Sequence, residues 1–91
     1  MSVFIKKETE DVFLVTVSSG TTTTHKVTVT NDALRDLTDN RVTKTSLLEF
    51  SFNFLLDREP NTSILSSFDI NVISKYFSDY QEEVRLWCNE S

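Results

Sequence analysis

The sequence predicts an α+β domain in which an N-terminal three-stranded antiparallel β-meander packs on one long central helix, followed by two or three shorter helices. Three observations predict it. The first third of the chain is rich in β-branched and aromatic residues, densest in VFLVTVS at 12–18. Residues 44–58, KTSLLEFSFNFLLDR, carry apolar side chains at helical spacing. A single glycine and a single proline are too few for a disordered or loop-dominated chain.

Taken in order, SVFIKK (2–7) alternates as a strand, and the acidic run ETED turns the chain. VFLVTVS, apolar at nearly every position, reads as the central strand with cover on both faces. Ser19-Gly20 marks a hairpin tip, and the return strand spans 22–30. On it His25, Val27 and Val29 share one face while Lys26, Thr28 and Thr30 share the other. His25, the one histidine, reads as a partly exposed strand residue.

Asn31 or Asp32 can cap a short helix over 32–37, and Thr43 can cap the long one over 44–58. At 100° per residue, Leu48, Phe52, Leu55 and Leu56 fill one arc of the long helix, and Leu47, Phe50 and Phe54 fill another. Ser51 and Arg58 lie between them, so the apolar side spans roughly 240°, against about 100° for an ordinary surface helix. Such a helix needs cover on two sides and is the hub of the core. Pro60 ends it. A tight connection follows, with Asp69 placed to cap a helix at 70–77 and Ser78 to cap one at 79–88.

Residues 47–84 contain Asp57-Arg58-Glu59, Pro60 to Leu65, Phe68-Asp69 and Tyr76-Phe77 in succession. In this the chain resembles a family of small uncharacterised bacterial proteins. That family has a proline where Ser78 stands, and either residue can begin a helix. The resemblance implies a common fold and brings no activity with it.

The net charge is −5. Acids and bases balance through residue 45. Beyond it three bases, Arg58, Lys75 and Arg85, stand against eight acids. An acidic helical half repels phosphate and anionic membrane surfaces, so neither nucleic acid nor membrane is an expected partner. One cysteine, Cys88, cannot form an internal disulfide, and no stretch reads as a membrane span or a signal peptide. Cytoplasmic residence follows as the expectation. Cys88 and His25 are the only Cys–His option for nucleophilic chemistry, and neither has partners at a telling spacing. No metal-ligand spacing and no glycine-rich phosphate loop occurs, so no catalytic residue, metal or cofactor is assigned.

Two clusters remain as candidate surfaces. Asp57, Arg58, Glu59 and Asn61 form the densest polar group, readable as a helix terminus or as a small-ligand or enzymatic site. Ile64, Leu65 and Phe68 sit in a connection too short to hide them all behind secondary structure of its own. They read first as anchors that seal the end of the core; if one or two stay exposed beside Tyr80 and Trp87, they form an apolar patch rimmed by Asp57, Glu59, Asp79 and Glu83. The leading functional expectation is a small non-catalytic scaffold or protein-interaction domain, with an unidentified protein partner or a homodimer, and such a patch is where either would dock. The alternative is a DNA-binding regulator, because KVTVTNDALRDLTDNRVTKTSLLEFSFNFLL also resembles ribbon-helix-helix repressors, with Lys26, Thr28 and Thr30 as readers.

Overall fold

A computed structural model describes residues 2–90. Its elements run β1 (Ser2–Lys7), β2 (Val12–Ser19), β3 (Thr21–Thr28), α1 (Asn31–Thr38), α2 (Lys44–Leu56), a 3-10 turn (Asn61–Ser63), β4 (Ser67–Asp69), α3 (Val72–Tyr76) and α4 (Tyr80–Glu90). The class is α+β. The sheet, however, is four-stranded and mixed, in the order β1-β2-β3-β4. The expected meander is present, pairing Ile5 with Val15 and Val15 with His25. β4 then adds parallel to β3, Val27 opposite Phe68. Parallel neighbours need a long crossover, and α1 with α2 supplies it.

The β2–β3 tip turns on Gly20, whose φ of +77° is a conformation that glycine adopts without steric cost. β2 does lie between two strands, but only one face of it is covered. Phe13, Val15 and Val17 are buried, while Leu14 and Thr16 on the outer face are half-buried. The absence of alternation in VFLVTVS therefore reflects β-propensity on a face with no helical layer over it. Phe4, opposite Thr16 on that same face, is 68% exposed.

The first helix is capped one residue earlier than expected. Thr30 leaves the strand and accepts a hydrogen bond from the Ala33 amide at 3.1 Å, so β3 ends at Thr28. Asp39 and Asn40 close α1 with φ near +60°, which their short polar side chains tolerate. Thr43 caps α2 by accepting from the Ser46 amide at 3.1 Å. α2 ends at Leu56, and Asp57 to Glu59 turn away ahead of Pro60.

The two apolar arcs of α2 face two layers. Phe52, fully buried, meets the sheet side through His25 at 5.5 Å and Phe68 at 6.2 Å between ring centroids. Phe50 stacks on Trp87 of α4 at 4.6 Å, and Phe54 meets Phe77 at 5.8 Å and Tyr80 at 5.3 Å edge to face. Ser51, between the arcs, is fully buried and gives its one proton to the Leu47 carbonyl at 2.7 Å. Tyr80 must then be the donor in the 2.6 Å contact between the two hydroxyls. Burial raises the Tyr80 pKa well above its ordinary value, with the Ser51 bond pulling more weakly the other way.

At the other end of α2, Lys44 donates to the Glu10 carbonyl at 2.8 Å and pairs with Asp11 at 3.1 Å. It thereby ties the β1–β2 turn to the hub. The radius of gyration, 12.2 Å, is that of a close-packed domain of this length. No helix among the described residues is long and apolar enough to cross a membrane.

Candidate functional site

A mostly apolar groove of about 300 Å³ lies between the connection after α2 and the short helix α3. Leu55 of α2 contributes to its floor. Ser63, Ile64, Leu65 and Phe68 form one wall, and Val72, Ile73, Tyr76 and Phe77 the other, with Glu59 at the lip. Among the described residues four large apolar side chains are well exposed, and two of them, Leu65 (46%) and Tyr76 (69%), line this groove. A chain of this size exposes single apolar residues routinely; two converging on one groove mark it out.

The first wall is held by a partly buried polar chain. The Asn61 amide donates to the Thr21 carbonyl at 2.8 Å and to the Thr23 hydroxyl at 3.0 Å. The Thr23 hydroxyl meets His25 Nε2 at 2.8 Å, and His25 Nδ1 meets the Leu65 carbonyl at 2.7 Å. A carbonyl only accepts, so Nδ1 carries the proton; neutral imidazole then accepts from Thr23 at Nε2. The bonds run in one direction from Asn61 to Leu65, an order in which each can polarise the next. The Lys26 amide holds the adjacent Ser66 carbonyl at 2.8 Å. On the second wall, Asp69 accepts from the Asn71 amide at 2.9 Å at the start of α3, and Phe77 at its end packs on Phe54. The groove is therefore preformed, which lowers the ordering cost of binding.

His25 is thus a buried residue, 2% exposed, and the expectation of partial exposure fails. Its strand face points at α2, and both ring nitrogens have local partners. Cys88 is buried on α4, where burial pushes its thiol pKa up and Arg41 pulls it down. The structure does not assemble these two into a nucleophile–base pair. No group of three or more His, Cys, Asp or Glu among the described residues is placed to hold a metal ion.

The predicted apolar patch is brought together in part. Ile64, Leu65 and Phe68 share the groove, although Ile64 is itself buried at 7% exposure. Tyr80 is absent from it because its ring fills the core and its hydroxyl is satisfied by Ser51. Trp87 is half-buried against Phe50 and lies outside the groove lining. Val72, Ile73, Tyr76 and Phe77 occupy the places expected for those two. The signal for them was available: Ile70, Ile73, Tyr76 and Phe77 recur at helical spacing, and a five-residue helix cannot bury two faces.

The predicted polar cluster divides. Arg58 pairs with Asp79 at 2.8 Å, donates to the Phe54 carbonyl at 3.1 Å and lies 3.6 Å above the Phe54 ring. Arg58, which the helical wheel set between the apolar arcs of the hub, in fact lies past the end of α2 and is exposed, its side chain only partly covered by these contacts. Asp57 remains exposed, Glu59 reaches the groove, and Asn61, 4% exposed, turns inward beneath the β2–β3 hairpin. These four do not converge on one ligand position.

The ribbon-helix-helix geometry is also absent. A ribbon reader needs a strand free to pair with its copy, and β3 is paired on both sides. Thr30 is occupied as a helix cap, which leaves only Lys26 and Thr28 on the outer face. No protein-family model, curated protein or solved structure matches the chain.

Proposed function

We propose that the protein is a small non-catalytic interaction domain whose docking surface is the groove between residues 63–68 and α3. The observation that carries this reading is the pair of exposed side chains, Leu65 and Tyr76, in the lining of one mostly apolar groove whose backbone is pinned at Leu65. A partner polypeptide would insert apolar side chains between them, each buried leucine-sized group contributing about 1.5–3 kcal/mol before ordering costs. With one cysteine the fold is independent of an oxidising compartment, which fits work in the cytoplasm. The bacterial proteins that residues 47–84 resemble would present the same groove, since Ile64, Leu65, Phe68, Tyr76 and Phe77 all fall within the matching residues.

The test is a random peptide library panned on the immobilised protein, followed by backbone NMR of the complex. Enriched peptides should share an apolar anchor and shift the amides of Leu65, Val72 and Tyr76. A library that yields no binder, or binders that shift only the outer sheet face around Phe4, would refute the proposal. Concentration-dependent shifts of those same groove amides without peptide would instead make the occupant a second copy of the chain.

A further inference from the structure

We infer that the groove selects a partner segment carrying a lysine or arginine beside its apolar anchor, with Glu59 as the receiving group. This rests on the docking reading above and specifies its partner. Glu59 is the one charged residue in the groove lining. It is half-buried, and among the described residues its carboxylate has no hydrogen-bond or ion-pair partner. The other acids once expected at the rim are placed differently. Asp79 is engaged by Arg58, while Asp57 and Glu83 line a separate depression with Phe50 and Phe54.

A half-buried carboxylate at the lip of an apolar groove favours a particular kind of side chain. The aliphatic stem of lysine or arginine can lie along Leu65 and Tyr76 with its cationic head at Glu59. The exposed Tyr76 ring offers the same cation a favourable face. At longer range the net charge of −5, all of it in the helical half, speeds the encounter of a basic segment and slows that of an acidic one. Lys75, the base on α3, lies outside the lining, so Glu59 is the charge that the groove itself presents.

The experiment uses three synthetic peptides of one length and one leucine spacing that carry Lys, Gln or Glu at the polar positions. Binding is followed by NMR on the full chain. The Lys peptide should bind most tightly and the Glu peptide least, all shifting groove amides. Glu59→Gln should weaken the Lys peptide by roughly three- to tenfold and change the Gln peptide by much less. Glu82→Gln, an exposed acid on α4, should change neither. Equal affinity of the Lys and Gln peptides, or no effect of Glu59→Gln, would overturn this inference while leaving the docking reading intact. A Lys peptide that shifts only α4 would overturn it too. If no peptide shifts the groove, the docking reading itself fails.

Discussion

Asn61 gives the sharpest test of the partly buried polar chain, because two substitutions that look similar should behave differently. Its amide group makes two short hydrogen bonds, to the Thr21 carbonyl and the Thr23 hydroxyl, in a site 4% exposed. Asn61→Ala removes both donors and leaves the Thr21 carbonyl without that partner, at a cost of about 2 kcal/mol. Asn61→Asp keeps the shape but turns a carboxylate oxygen toward that carbonyl. An unpaired buried charge costs about 3–5 kcal/mol, so the near-isosteric change should be the worse one at neutral pH. Apposed acceptors raise the folded-state pKa of the new carboxyl group above its unfolded value. Stability of the aspartate variant is then greatest below the unfolded pKa and falls as pH rises through the folded one, and acidification should narrow its gap from the alanine variant. Urea unfolding followed by Trp87 fluorescence, at neutral pH and near pH 4, reads both comparisons. An aspartate variant as stable as wild type, or more stable than Asn61→Ala at neutral pH, would refute the assigned direction of these bonds.

Other outcomes follow from the same packing. Phe52→Ala should lose about 3–5 kcal/mol in urea unfolding, because a fully buried ring between the sheet and the hub leaves a cavity; a loss below about 1 kcal/mol would put Phe52 at the surface. Tyr80→Phe should cost about 1 kcal/mol at neutral pH. Because the folded Tyr80 pKa is raised, its contribution is whole below the unfolded value and is lost as pH rises above about 10, and alkaline titration of stability should be shallower in the phenylalanine variant. No salt-sensitive micromolar binding of duplex DNA or RNA is expected in an anisotropy titration at physiological salt, given the acidic helical half.

The hub was legible in the sequence because its pattern is long and strongly periodic. The breadth of its apolar surface implied two covering layers, and Phe52 and Phe54 do face different ones. Arg58 was misread by the same wheel, because α2 ends at Leu56 and Arg58 lies exposed beyond it. β4 was not legible, since three residues with one apolar side chain carry no period. It forms because β3 otherwise presents an unpaired edge beside the returning chain. The roles of His25 and Asn61 were equally hidden. Each depends on partners about forty positions away, Leu65 for one and Thr21 and Thr23 for the other, and register alone brings them together. The candidate surface was half legible. Of the three residues in the short connection, Leu65 stays exposed, Phe68 is half-buried and Ile64 is buried. Tyr80 and Trp87 were misplaced because a helical period shows which residues share a face without showing what that face meets.

Whether the groove or the open sheet face receives partners is the question on which the account turns, and both present an exposed apolar residue. The direct measurement is the affinity of a peptide selected on the wild-type protein for the Leu65→Asp and Phe4→Asp variants, each first shown by circular dichroism to be folded. Leu65→Asp should lose at least about tenfold in affinity, the effect of a charge set into an apolar contact, and Phe4→Asp should match wild type. Loss confined to Phe4→Asp would place docking on the sheet and contradict the groove.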